Sequence, residues 1–331
     1  MRLFLVLFLL LLLQLPARAD VTVVTYNMAQ LKKHGLDLVA CTKRRVNLQV
    51  EAMFNDPASP IFATRDFVFL IQESWTKRSF KALKKLAQER GYTIFPDDHK
   101  IVKNSGQLII TNLATSELKS VPFSKDKYAK KGMVYARLAL EDGKFLGVIN
   151  VHTTYSDKEG FSEEHRRHFE ELGQMIELEK PLSDYFVVGG DFNAGPDMGF
   201  KQTKYDAPAT VWEHGLMPLM YNQNMRLLES VGITWDDTHN ELVNNPPLLL
   251  RLVNKYKNGY IGWDQTDSTL DHIFVKSDMS VLRHELSFTQ KVPLKCGRRN
   301  KDDGLLNLSD HYGVMAVIKT GEVPETIPEI P

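Results

Sequence analysis

Residues 185–193 read Y-F-V-V-G-G-D-F-N. The first four are aromatic or β-branched, which makes a short buried strand. The two glycines that follow allow a tight turn or a close approach of the backbone to a ligand. Asp191 and Asn193 come next, and on an extended chain residues two apart point to one side of the strand end. A carboxylate beside a carboxamide suits a hard, oxygen-loving cation or the oxygens of a phosphate. The same residues also read as a strand followed by a turn, because Gly, Asp and Asn are the common turn residues.

Other strand ends shift that balance. Apolar runs at 21–26, 66–72 and 145–151 lead into Asn27, Glu73 and His152, while Asp271 opens the run 271–276. Asp310 and His311 stand just before a last strand, 312–319. An unpaired buried charge is costly, so acids are least expected beside buried strands. Four acids and two histidines so placed exceed ordinary turn chemistry. Converging, they would form an acidic pocket for Mg²⁺ or Mn²⁺, with imidazoles free for proton transfer.

Between these runs the apolar spacing predicts helices over 36–54, 77–90 and 163–179, with shorter ones near 209–214 and 222–230. Further strands are predicted at 92–95, 106–111, 117–121, 133–140 and 281–288. Many strands, partly hairpin-connected, with a few long helices between them indicate α+β layers rather than a doubly wound parallel sheet.

Met1-Arg2, the apolar run 3–13 and Ala17-Arg18-Ala19 read as a secretory signal peptide over 1–19. That run falls short of the roughly 20 apolar residues of a membrane span. A mature chain starting at Asp20 would carry 39 basic and 41 acidic side chains, unlike a dedicated nucleic-acid binder. A secreted or periplasmic protein is expected, with one domain over 20–320 and a loose tail over 321–331. Export permits a disulfide between Cys41 and Cys296, although spacing alone does not pair them. Nucleophile-elbow, zinc-type C-x-x-C and glycine-rich phosphate-loop motifs are all missing from the sequence.

Six motifs then occur in a telling order: T-Y-N-M at 25–28, Q-E at 72–73, V-H at 151–152, G-G-D-F-N at 189–193, L-D-H-I-F at 270–274 and S-D-H-Y-G-V at 309–314. In that order they resemble the endonuclease/exonuclease/phosphatase superfamily, which includes DNase I-like nucleases, inositol-phosphate phosphatases and neutral sphingomyelinases. The resemblance implies a four-layer α/β/β/α sandwich of two mainly antiparallel sheets, with a metal site where their strand ends meet. Two further stretches look like bacterial sphingomyelinases: K-G-M-V-Y-A-R at 131–137 and T-W-D-D-T-H-N at 234–240. The loop 242–267 departs from that branch; it reads as a lipid-contacting insertion or as a plain surface loop.

The resemblance implies roles. Glu73 would be the first metal ligand, with Asn27 and Asp310 beside it, holding Mg²⁺ or Mn²⁺ against a phosphate oxygen. Asp191 and Asn193 would position the attacking water, and His311, oriented by Asp271, would take its proton. In some superfamily members the residue at the Asp191 position is the base instead. His152 would bind the phosphate or protonate the leaving oxygen. Lys131, Trp235 and Asn240 would contact substrate. The expected function is an exported metal-dependent phosphodiesterase acting on a phospholipid, with peripheral membrane contact and no obligate protein partner. The alternatives are a secreted DNase I-like endonuclease acting on nucleic acid and an inactive binding protein on the same fold.

Three sites read as structural. His272 should face away from Asp271 and pack in the core or on the surface. His165 and His168, among Glu163, Glu164, Arg166 and Arg167, read as a solvated helix face, and Lys43-Arg44-Arg45 as surface charge by default, with anionic-lipid or nucleic-acid contact as the minor option.

Overall fold

The computed structural model describes residues 20–33, 36–124, 130–154, 163–196, 211–229, 231–236, 239–244, 267–294 and 305–321. The signal-like segment, most of the 242–267 loop, Cys296 and nearly all of the tail lie outside the described residues. Cys41 is disulfide-bonded.

The first half of the chain forms strands β1 (Val21–Asn27), β2 (Lys32–Lys33), β3 (Leu36–Asp37), β4 (Asp66–Gln72), β5 (Thr93–Phe95), β6 (Leu108–Thr111), β7 (Ala114–Pro122), β8 (Gly132–Ala139) and β9 (Phe145–His152). The second half adds β10 (Tyr185–Asp191), β11 (Met225–Leu227), β12 (Asp271–Lys276), β13 (Val281–Ser287), β14 (Lys291–Pro293), β15 (Leu305–Asn307) and β16 (Gly313–Ile318). Helices are α1 (Thr42–Phe54), α2 (Lys77–Arg90), α3 (His99–Ser105), α4 (Glu163–Glu179), α5 (Met217–Asn222) and the single turn α6 (Glu241–Asn244).

Two six-stranded sheets result, ordered β13-β16-β1-β4-β6-β5 and β11-β12-β10-β9-β8-β7. Within these two sheets β1 with β4, and β9 with β10, are parallel; the remaining pairs are antiparallel. Val21, Val23, Leu70, Val148, Val187 and Ile273 meet between the sheets. Val24, Tyr26, Phe69 and Ile71 face outward beneath α1 and α2, and Ile149, Val188 and Phe274 pack with residues of α4 and α5. Both faces of each central strand are therefore covered, which is why these runs are apolar throughout instead of alternating. This is the four-layer α+β sandwich expected from the sequence.

Local signals set several limits. Helix α2 starts at the Thr76 cap, whose side chain accepts from Ser79 N, and stops at Gly91 in the left-handed region. Gly190 has φ 155°, and a Cβ there would collide with the Val151 carbonyl of β9. The close approach that this glycine permits is thus to the neighbouring strand, not to a ligand.

Some expectations fail. The helix predicted over 36–54 begins only at Thr42, because Leu36–Asp37 pairs with Lys32–Lys33 as a short hairpin. The segment predicted as a helix over 222–230 contains β11, which pairs along β12. Sheet-edge pairing there overrides a short, ambiguous apolar spacing. Helix α3 and the β14–β15 pair were not expected.

Two sites read as solvated are buried. His165 and His168 sit at 0% exposure on the inner face of α4, and Arg45 is at 0% on α1. The flanking charges of each are exposed or half-buried, a distinction that local composition hides. His272 is buried against Trp212 and Phe192, with Nε2 2.9 Å from the Ala194 carbonyl.

Candidate active site

Topology brings the polar strand ends to one rim. The parallel pairs align Asn27 with Gln72 and His152 with Asp191, so four C-terminal strand ends lie together, two in each sheet. The antiparallel neighbours begin where these end: Asp271 opens β12 opposite Asp191, and β16 starts beside the end of β1 just after His311. Buried amides hold the sheets in place, with Gln72 Nε2 donating to Asn150 Oδ1 at 2.7 Å and Asn150 Nδ2 to the Ile71 carbonyl at 2.8 Å.

Contacts across the rim join residues far apart in the chain. Asn27 Nδ2 donates to Asp191 Oδ2 at 2.9 Å, linking the two sheets. His152 Nε2 lies 3.5 Å from Asp191 Oδ2 and 3.8 Å from Glu73 Oε1. His311 Nδ1 is 2.7 Å from Asp271 Oδ2. Oxygen or nitrogen atoms of Asp191, Asp271 and His311 fall within 4.8 Å of one another. Ser309 Oγ donates to the Asn27 carbonyl at 2.6 Å, tying the loop before β16 to the end of β1.

Glu73 and Asn193 occupy left-handed backbone positions, φ 55° and 46°. Such conformations are strained for these residues and cluster at functional sites. Asn193 is therefore not the next extended position after Asp191. Its backbone N–H instead bonds Asp191 Oδ1 at 2.9 Å, and its Nδ2 donates to the Thr153 carbonyl at 3.1 Å. Lys131 Nζ donates to that same carbonyl at 2.8 Å, so Thr153 gathers both side chains. Thr153 Oγ1 in turn meets His165 Nε2 at 3.0 Å and donates to the Phe192 carbonyl. His168 Nδ1 accepts from Thr154 N at 3.1 Å. Sequence reasoning missed this support because its partners come from α4, β9 and the end of β10.

Trp235 packs edge-on against the His311 ring with centroids 4.9 Å apart. Asn240 is buried, and both ends of its carboxamide make protein bonds, Nδ2 to the Ser309 carbonyl and Oδ1 from Leu242 N. It braces the Asp310–His311 loop.

Charges shape the site. Burial, then the nearby Asp310 carboxylate, push Glu73 up to about 8 against the pull of Lys131 and His311. Burial alone would depress His311, but Asp271, Asp191 and Asp310 outweigh it and raise it to about 10. Burial lifts Asp271 to about 6 in spite of His311. His152 falls well below the ordinary imidazole value, first by burial and then by Lys131 and His311, so it is neutral at pH 7.

The residues fit a hard divalent cation. Glu73, Asp310, Asp191 and the Asn27 carboxamide supply oxygen donors, which Mg²⁺ and Mn²⁺ prefer. Asp271 Oδ1 and both ring nitrogens of His152 are buried without hydrogen-bond partners among the described residues. Orphaned polar atoms at the rim are what a site awaiting a cation, water and a phosphate would leave.

No protein-family model and no curated protein matches the sequence. Solved structures do match. Beta toxin from Staphylococcus aureus aligns with TM-score 0.62 at 19% identity, over 90% of this chain and 99% of that one. Sphingomyelinase C from Streptomyces griseocarneus aligns with TM-score 0.60 at 15% identity, over 90% and 99%. D. rerio TDP2 complexed with a single-strand DNA product aligns with TM-score 0.58 at 17% identity, over 91% and 100%. Among the described residues no helix is long and apolar enough to cross a membrane. The chain has the DNase I-like fold of the endonuclease/exonuclease/phosphatase proteins.

Proposed function

We propose that the chain is an exported metal-dependent phosphodiesterase that hydrolyses a phospholipid of the sphingomyelin type, releasing a phosphorylated head group. The observation that carries this reading is the meeting of the Asn27–Asp191 and Asp271–His311 contacts at the rim of both sheets.

In this reading Glu73, Asp310 and Asn27 hold the cation. When bound it offsets the charge of a phosphate oxygen and of the transition state. Asp191 and Asn193 orient the attacking water. A new bond forms from the water oxygen to phosphorus, the bond to the lipid alkoxide breaks, one proton passes from the water to the base, and the departing oxygen takes one from solvent. In the cation-free chain His311 keeps its proton through neutral pH. Offsetting the carboxylates around His311 lowers its pKa, so that His311 accepts the water's proton and Asp191 orients that water. Neutral His152 donates N–H to the phosphate. Trp235 and Lys131 line the approach to the head group.

A lipid is favoured over nucleic acid by the two sphingomyelinase-like segments, whose Lys131 and Trp235 reach Thr153 and His311. The balance of 41 basic and 41 acidic residues also gives no net basic field for DNA. The test offers purified protein from Asp20 onward sphingomyelin, phosphatidylcholine and plasmid DNA, with Mg²⁺ and with EDTA. Lipid cleavage that needs Mg²⁺ is the expected result. Nicked DNA with intact lipid would overturn the substrate assignment, and no turnover at all would favour an inactive binding protein.

A further inference from the structure

A second feature lies outside the proposed active site. A groove of about 590 Å³ runs between α1 and α2, lined by Lys43 and Asn47 on one wall and Lys77, Arg78, Lys81 and Lys85 on the other. Its lining holds five cationic side chains and no carboxylate. Among the described residues, Lys43, Lys77, Arg78 and Lys81 pair with no carboxylate, and Lys85 reaches only Glu89, at 3.6 Å. Some exposed cations elsewhere are matched, as in Arg65–Glu141 and Arg283–Glu285, both at 2.7 Å, while Lys100 and Lys103 pair with no carboxylate among the described residues. In a chain with equal numbers of acids and bases, this groove is a place where positive charge has been left unanswered.

Its position relates it to the rim. Helix α2 begins four residues after Glu73. Arg45, in the first turn of α1, bonds the carbonyls of Met28, Ala29 and Leu308, which flank Asn27 and the Asp310–His311 loop. Both helices therefore start at the edge where the polar strand ends gather. The positive ends of the two helix dipoles add to the lysine and arginine field there.

We propose that this groove binds the phosphate head groups of an anionic phospholipid surface, holding the rim of the sheets against a membrane. Lysine ammonium groups on flexible stems suit many separate phosphates of variable position, and their methylene stems tolerate the interfacial region. The choice of a membrane over other polyanions rests on the lipid reading above. Binding is tested apart from turnover.

The experiment sediments the mature protein, in EDTA, with vesicles of phosphatidylcholine alone or mixed with phosphatidylglycerol. Duplex DNA and inorganic phosphate serve as competing probes. The expected result is binding at least about tenfold tighter to the phosphatidylglycerol vesicles, weakened by raised salt and lost in Lys77→Glu/Lys81→Glu. Lys43→Glu, on the opposite wall, weakens it as well. Far-UV circular dichroism and unchanged Mg²⁺-dependent hydrolysis of a soluble phosphodiester show that both variants fold. Equal binding to the two vesicle types, wild-type binding by both variants, preference for DNA, or displacement by free phosphate at matched phosphate concentration would each overturn the proposal. Vesicle preference in a protein without any turnover would uphold the groove and remove only the catalytic reading.

Discussion

His311 Nδ1 and Asp271 Oδ2 lie 2.7 Å apart, joining residues 40 positions apart in sequence. Asp271 sits at the first residue of β12, and His311 lies in the loop that enters β16. The carboxylate holds one ring nitrogen, which leaves the other to face the rim.

The first prediction follows from that pair. After burial, which pulls His311 down, the Asp271 charge is the largest influence raising it towards about 10. Asp271→Asn should lower the His311 pKa markedly and reduce hydrolysis of a soluble phosphodiester by about 10²-fold or more. Imidazole chemical-shift titration checks the first part and a pH–rate profile the second. An unchanged His311 titration would mean that the pair does not set its protonation.

Glu73 gives a prediction with two opposite signs. Its folded pKa is raised from 4.5 to about 8, so in EDTA the native state binds a proton that the unfolded chain has released. Cation-free stability therefore falls as pH rises between those values. Glu73→Gln should be at least as stable as the parent at pH 8 in EDTA, yet gain no thermal stability from Mg²⁺, and should lose activity by about 10²-fold or more. Melting curves with and without Mg²⁺ separate these effects. A variant still stabilised by Mg²⁺ to the parental extent would remove Glu73 from the ligand set.

Arg45 has no solvent exposure, and its guanidinium donates to the carbonyls of Ala40, Met28, Ala29 and Leu308. Arg45→Met would leave these buried acceptors short of donors, a loss of about 3–5 kcal/mol in urea unfolding. Arg45→Lys should recover little of it, because an ammonium cannot reproduce the planar fork of donors.

The buried histidine behind Thr153 sets an acid edge. Burial pushes His165 down to about 3. The folded protein keeps it neutral while the unfolded chain protonates it below about 6.5, so its contribution is intact above that pH and is lost as pH falls towards 3. In His165→Gln the slope of stability against pH between about 4 and 6 should flatten by one proton, roughly 1.4 kcal/mol per pH unit. His272 and His284, each lowered to about 4 chiefly by burial, keep part of the slope in the variant.

Much of the architecture was legible because its signals are local. Asp66–Gln72, Lys77–Arg90 and Glu163–Glu179 match their expected limits, for apolar period, caps and breakers act within a few residues. The polar residues beside the strands were equally visible. Less visible was anything that depended on which side of an element turns inward. His165 and Arg45 share short charged runs with exposed neighbours, and only their partners, Thr153 and Phe192 for one and the carbonyls of Met28, Ala29 and Leu308 for the other, explain their burial. Asn193 escaped for a related reason, since its left-handed backbone is imposed by the Asx turn with Asp191.

Sequence alone determined that acids and imidazoles would stand at the ends of buried strands, because burial makes every such residue conspicuous. Whether those ends would meet was decided by strand direction. Parallel pairing of β1 with β4 and of β9 with β10, bordered by antiparallel β16 and β12, turns the polar ends of both sheets to one edge. Hydrogen-bond partners between strands remote in the chain settle that direction, and no local run of residues encodes them.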